Sequence, residues 1–295
     1  MTGSRFLQLV AILAFAANAA YAQPEPNNQT AALTPALVVA GSPELIRVIA
    51  PNVDKVEGEW LGRKLQFFPG RDGRSWIALA GVDVEGPVGS FTLRITERLA
   101  TGATRDVSQA IEVHPAHYRT GSLSVQPKFV EPDPDELKQI AADSDVKAKA
   151  FAASAAEPLW RGSFHAPVRA APTDSFGTLR MFNGKLASIH KGMDFRAPKG
   201  TVVRAANSGV VVLARPLYYE GNCVIIDHGL GLYTLSMHFS RIDVHEGQRV
   251  AAGDRLGLSG ATGRVTGPHL HWAVRWQGAY LDPAKLLRLN LSAAR

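Results

Sequence analysis

The stretch GPHLHWAV, Gly267 to Val274, sets two histidines one residue apart inside an otherwise apolar run. Side chains alternate between the two faces of an extended strand, so His269 and His271 share one face while Leu270 and Trp272 share the other. One face is suited to packing; the opposite face carries two imidazoles. A His-x-His pair alone is more often a pair of half-exposed strand residues than a metal site, so the surrounding sequence has to decide between them.

That surrounding sequence has a period of two. From about Phe176 onward strands are expected near Thr201 to Ala206, Gly209 to Ala214, Cys223 to Asp227, Leu232 to His238, Arg255 to Leu258 and His269 to Arg275. Glycines stand at the junctions, as tight hairpins in a mostly antiparallel sheet require. The glycine-rich GLSGATGRVTG has neither the Gly-Lys-Ser/Thr ending nor the following helical pattern of a phosphate loop.

Upstream, residues 35–117 read as short strands. Phe91, Leu93 and Ile95 alternate with Thr92, Arg94 and Thr96, and turn signals at Gly41-Ser42, Pro69-Gly70, Asp72-Gly73, Gly86-Pro87 and Thr101-Gly102 keep the spacing short. This pattern favours an immunoglobulin-like β-sandwich. Residues 118–170 form the expected linker, with a helix over about 134–152. Asp133 is its N-cap, Pro134 its first residue and Glu136 the partner that completes a capping box, with Leu137, Ile140, Ala141 and Phe151 as packing positions. The expected chain is therefore mainly β: an N-terminal immunoglobulin-like β-sandwich, a helical linker, and a C-terminal antiparallel β-sheet domain over 171–295.

Residues 1–22 have the pattern of a secretory signal peptide: Arg5, the apolar FLQLVAILAFAA, then Ala20-Tyr21-Ala22. The apolar run is short for a membrane anchor, so no transmembrane segment is expected in the mature protein. Residues 23–34 are expected to be flexible. Export follows, to the periplasm in the first instance. The single Cys223 excludes an internal disulfide, and its apolar surroundings favour a buried strand residue. The net charge is +6, or +5 without Arg5. This surplus suits an anionic polymer outside the cell better than a specific nucleic acid site.

The C-terminal half holds more than one histidine pair. SIHKGMDF supplies His190 and Asp194, and LYTLSMHFS carries His238 on a strand. Catalytic zinc takes three protein ligands from imidazole and carboxylate and keeps a fourth position for water. His190, Asp194 and one member of His-x-His make up that number. His238 and the other member remain available for the proton transfers of amide hydrolysis.

His190-x-x-x-Asp194, strand-borne His238 and Gly267-Pro268-His269-Leu270-His271 resemble, in order and kind, the LytM or lysostaphin-type zinc endopeptidases, peptidase family M23. The likeness runs from about Phe176 to Leu287, through HKGMDFRAPKGTVVRAANSGVVV and HEGQRVAAGDRLGLSGATGRVTGPHLHWAV. It implies His190, Asp194 and His271 as ligands of Zn2+, His238 and His269 as the catalytic pair, and a peptide of bacterial peptidoglycan as substrate. The amino-terminal region is similar to that of some periplasmic members.

Two other functional readings fit parts of the sequence. Members that have lost ligands bind cell wall or activate amidases without catalysis, but all five positions are filled here. The hairpins APKGTVVRAANSGVVV and HEGQRVAAGDRL also resemble biotinyl and lipoyl carriers, yet no turn presents the lysine such a carrier needs. Among the other polar residues, His228 is expected to form structural hydrogen bonds and His245 to lie in an exposed loop. His165 falls between domains, His114 and His117 at a strand end, and Asn183 in a turn. Tyr218, Tyr219 and Tyr233 are suited equally to lining a groove or to packing.

Overall fold

The computed structural model describes residues 31–291; the expected signal peptide lies outside the described residues. Two four-stranded antiparallel sheets come first. One orders Ala32–Thr34, Pro43–Ile49, Ser75–Gly81 and Phe68–Pro69; the other orders Arg63–Gln66, Val53–Trp60, Gly89–Leu99 and Thr104–Val113. Along Gly89–Leu99, Leu93 and Ile95 are buried while Thr92, Arg94 and Thr96 are exposed, as period two requires. Ile46, Leu79, Trp60, Leu93 and Val113 from both sheets join one core. Ala32–Thr34 pairs with Pro43–Ile49, so regular structure begins inside the segment expected to be flexible.

The second half is built on a ten-stranded sheet. Its main path runs Pro172–Asp174, Met193–Phe195, Leu270–Trp276, Leu232–Ile242, Gly221–Asp227, Gly209–Leu217 and Arg249–Val250, every neighbouring pair antiparallel. A smaller sheet orders Lys185–Ile189, Leu179–Phe182 and Thr120–Leu123, the last of these running parallel to its neighbour.

Residues 118–170 are not a tether between domains. The helix Pro134–Ala152 has the expected capping box, with Asp133 accepting from the Asp135 and Glu136 amides and Glu136 accepting from the Asp133 amide. Its docking face differs from the expectation, for Leu137 is 53% exposed and Ala141 is exposed. Phe151 does dock as expected, and Val146 and Ala150 pack on the sheet with it, beside buried Asp143, which accepts the Tyr218 amide at 2.6 Å, and Lys147, which pairs with Glu220. A polar-apolar mixture on the docked face is what hid it from a hydrophobicity pattern. After the helix, Trp160, Phe164 and Val168 enter the main core.

The two halves share that core. Leu281 is fully buried, and a Cβ on Gly81 would stand 2.6 Å from its methyl group. Around this contact the Asp282 amide donates to the Gly41 carbonyl, the Val84 amide to the Tyr280 carbonyl, and the Tyr280 amide to Asp83 Oδ2. Replacing Leu281 with Ala leaves a cavity and is expected to cost about 2–5 kcal/mol. Chemical denaturation should show a single cooperative transition moved to lower denaturant; two separate transitions would contradict a shared core.

Glu44 lies in the same region, fully buried, with Ser42 Oγ donating to Oε1 and no hydrogen-bond partner for Oε2 among the described residues. Burial raises its pKa to about 8, against hydrogen bonding from Ser42 and the charge of Lys285. The unfolded carboxyl, near 4.5, gives up its proton first. Above that pH each increase therefore favours unfolding, until the folded group itself titrates near 8. Glu44→Gln should flatten this part of the stability profile in melting curves recorded from pH 5 to 8; an unchanged slope would place the carboxyl in contact with water.

Candidate functional site

Cross-strand register assembles the site. Met193–Phe195 pairs with Leu270–Trp276 so that Asp194 is the direct partner of His271, while Met237 faces His271 from the other side. Partners in register point to the same face, and Leu270 and Trp272, facing the other way, are 0% and 1% exposed. The opening pattern of the His-x-His strand is thus realised, although regular pairing begins at Leu270 and His269 is held by an isolated bridge to Gly260. His190 closes the group from the loop that precedes Met193, its backbone tied to Thr178 and Gly177.

His190 Nε2, Asp194 Oδ1 and His271 Nδ1 converge, at 3.1 Å between His190 and Asp194, 3.0 Å between the histidines and 2.8 Å between His271 and Asp194. Each has a candidate metal-ligand atom within 4.8 Å of the others. His190 Nδ1 donates to the Ser175 carbonyl at 2.9 Å, which leaves its Nε2 lone pair aimed at the other two. Burial pulls the His271 pKa down to about 4, against the pull of Asp194, so this imidazole is neutral at pH 7. Burial alone would raise the Asp194 carboxyl, but the close approach of His190 and His271 outweighs it and holds it well below the usual carboxylate range. A buried carboxylate oxygen converging with two imidazole nitrogens is a donor set for a borderline cation, and the residues present fit a divalent metal.

Asp194 has a second oxygen, and it is committed. Arg180 Nη2 donates to Oδ2 at 2.5 Å and to Asp174 Oδ2 at 2.8 Å, while Asp174 also accepts from Arg119 and Thr178. Oδ1 alone is left for a metal. Neither Arg180 nor Asp174 was legible as a site residue, since both lie outside the three short motifs in a segment with turn chemistry only. Gly192 is required by a close approach: a Cβ there would stand 2.5 Å from His271 Nε2 and 2.7 Å from the Trp272 carbonyl.

His238 reaches the same cleft by an irregularity. Strict alternation would turn it away from the face occupied by Met237, but His238 has φ +66° and the ladder with Gly221–Asp227 shifts register around it. This left-handed bulge lets Met237 and His238 both line the cleft. The His238 amide donates to the Glu220 carbonyl and its Nδ1 to the Thr262 carbonyl at 2.8 Å, so Nε2 is free. Burial holds its pKa well below the ordinary imidazole value. His269 Nδ1 donates to the Gly267 carbonyl, and its Nε2 lies 3.8 Å from Asp194 Oδ1. The His238 and His269 rings are 4.9 Å apart.

The remaining candidates separate cleanly. His228 is buried between the Ser208 carbonyl and Thr234 Oγ1, away from the cleft. His114, His117, His165 and His245 are exposed and join no cluster with the site. Tyr219 lines the cleft, whereas the hydroxyls of Tyr218 and Tyr233 bond to the Lys128 and Phe151 carbonyls. Asn183 takes its turn with φ +49° and also clamps Val125 through both ends of its amide.

Residues 188–283 match the model of peptidase family M23. A peptidoglycan DD-endopeptidase of Vibrio cholerae, ShyA, is 44% identical over 110 residues, covering 37% of this chain and 25% of the relative. The DD-carboxypeptidase/endopeptidase Mpg of Neisseria meningitidis is 41% identical over 98 residues, covering 33% and 23%. This chain thus spans about a quarter of the length of the curated relatives it matches. A solved Pseudomonas aeruginosa structure assigned to peptidase M23 superposes with TM-score 0.65 at 28% identity, covering 84% of this chain and 94% of the other. That likeness extends well beyond the matched segment. The chain carries an M23 peptidase domain.

Because Gly192 leaves the room that the His271 ring occupies, Gly192→Ala is expected to weaken metal binding by roughly 10- to 100-fold, with some loss of stability from the clash with the Trp272 carbonyl. Zinc titration alongside circular dichroism checks this. Unchanged affinity would mean that the His271 ring can shift without loss.

Proposed function

We propose that this M23-domain chain is an exported zinc endopeptidase that hydrolyses peptide cross-links or stem peptides of bacterial peptidoglycan. The observation that carries the reading is the convergence of His190, Asp194 and His271 beside two further imidazoles, in a cleft of about 680 Å³. The name of the Vibrio relative, a peptidoglycan DD-endopeptidase, supports peptidoglycan as the substrate, and the name of the Neisseria relative supports peptide-bond cleavage. Cleavage there takes place outside the cytoplasm, in keeping with the signal-like residues 1–22. Among the described residues no helix is long and apolar enough to cross a membrane.

In this reading His190, Asp194 and His271 hold the ion. When bound, zinc supplies Lewis acidity that makes water a stronger acid and the scissile carbonyl a better electrophile. Protein groups perform the remaining work. His238, neutral and with Nε2 free, accepts a proton in the cleft, and His269 faces it across the same space. The base and oxyanion-stabilising duties fall to this pair. The Thr262 and Gly267 carbonyls fix both rings by taking their Nδ1 hydrogens, so neither ring has to reorient during the reaction. Arg180 keeps Asp194 from turning both oxygens toward the ion.

The strand orders of the first two sheets, first-second-sixth-fifth and fourth-third-seventh-eighth, support an immunoglobulin-like sandwich for residues 32–113. Its docking on Tyr280 and Asp282, and the Lys191–Glu85 ion pair beside His190, support a role in positioning the cleft wall.

Digestion of purified peptidoglycan followed by mass spectrometry of the products tests the proposal. The zinc-loaded chain should convert cross-linked muropeptides to monomers or trim stem peptides, and chelation should stop it. Asp194→Ala and His271→Ala should lose metal and turnover together. His238→Ala should keep metal while turnover falls by about 10²-fold or more. Intact peptidoglycan after incubation with the zinc-loaded chain would overturn the enzyme reading, and metal loss in His238→Ala with retention in His271→Ala would overturn the roles.

A further inference from the structure

The cleft continues past His238 to a guanidinium with no acid to pair with. Arg264 lies 4.5 Å from the centroid of Phe182 and 4.5 Å from that of Tyr219, held between two aromatic rings. Its backbone amide donates to the Tyr219 carbonyl at 2.9 Å, fixing the loop. The same loop carries Thr262, whose carbonyl orients His238, and Tyr219 precedes Glu220, whose carbonyl takes the His238 amide. Arg264 is therefore built into the His238 side of the cleft.

Its charge is uncompensated within the protein. Glu220, the acid that acts on it electrostatically, is already paired with Lys147 of the helix. Asp174 and Asp194, the other acids on the cleft wall, are taken up by Arg119 and Arg180. No carboxylate among the described residues forms an ion pair with Arg264. Aromatic faces stabilise a cation and hold its plane, but they leave the edge of the fork, with its N–H donors, unused.

We propose that Arg264 is a substrate-binding residue, whose guanidinium takes a free carboxylate of the peptide next to the scissile bond on the His238 side. A planar fork between rings is preorganised for the two parallel bonds of a carboxylate, and little side-chain freedom remains to be lost on binding. The inference rests on the proposed endopeptidase reading and adds its specificity: peptides with that carboxylate free are preferred to those in which it is amidated.

The test uses the zinc-loaded full chain and a series of peptidoglycan-derived peptide dimers, each with a different carboxylate converted to its primary amide. One amidation should lower kcat/KM by about 10- to 100-fold, the range for a charge-assisted hydrogen bond. Arg264→Met should lose most of that discrimination, and Arg264→Lys should retain an intermediate part. The unmodified chain already decides one branch without any variant: cleavage insensitive to every amidation overturns the proposal. So does a penalty that persists undiminished in Arg264→Met. If no dimer is cleaved at all, the endopeptidase reading has failed, and the same series is read as dissociation constants on the zinc-loaded chain. A penalty in affinity that disappears in Arg264→Met supports the carboxylate site on its own; equal affinities across the series overturn it.

Discussion

Lone pairs packed against one another in a protein interior need a proton or a cation between them. His190 Nε2, Asp194 Oδ1 and His271 Nδ1 are forced into that arrangement by a strand register, a carbonyl and an arginine. The register sets Asp194 opposite His271; the Ser175 carbonyl selects the His190 tautomer; Arg180 removes the second carboxylate oxygen from contention. His190 and Asp194 are 2% and 6% exposed, so water is not the natural partner for this charge. The sheet, the loop before Met193 and the Arg180 network are the scaffold that keeps the three atoms together.

Around that point the fold puts rigidity where chemistry needs it and irregularity where a side chain must be re-aimed. His271 sits near the start of a strand paired on both sides, with Gly192 close behind its ring. His238 instead occupies a left-handed bulge, a conformation that costs of order 1–3 kcal/mol and persists only where its surroundings impose it. The Thr262 and Glu220 carbonyls supply that imposition here, through the ring and the main chain of the same residue.

The part of this organisation legible in the sequence is the part with a period. Alternation in His269 to Arg275 predicts a strand with both histidines on one face, and Leu270 and Trp272 are buried on the other. The capping box of Asp133 and Glu136 marks the helix start to the residue. What escaped has no period. The His238 bulge breaks alternation, and Arg180 and Asp174 act through contacts across turns. The helix docks through Asp143 and Lys147 as well as Val146, so its buried face does not look apolar. Thr120–Leu123, inside the expected linker, became the edge of a small sheet because its partner, Leu179–Phe182, is distant in the chain.

The most direct test of the central claim is a crystal structure of the chain grown with zinc and measured at the zinc absorption edge. The account predicts one anomalous peak bounded by His190 Nε2, Asp194 Oδ1 and His271 Nδ1, at about 2.0–2.2 Å from each, with His238 and His269 facing it and not ligating. A peak held by His238 or His269 in place of any of these three, or no peak among them at saturating zinc, would contradict it.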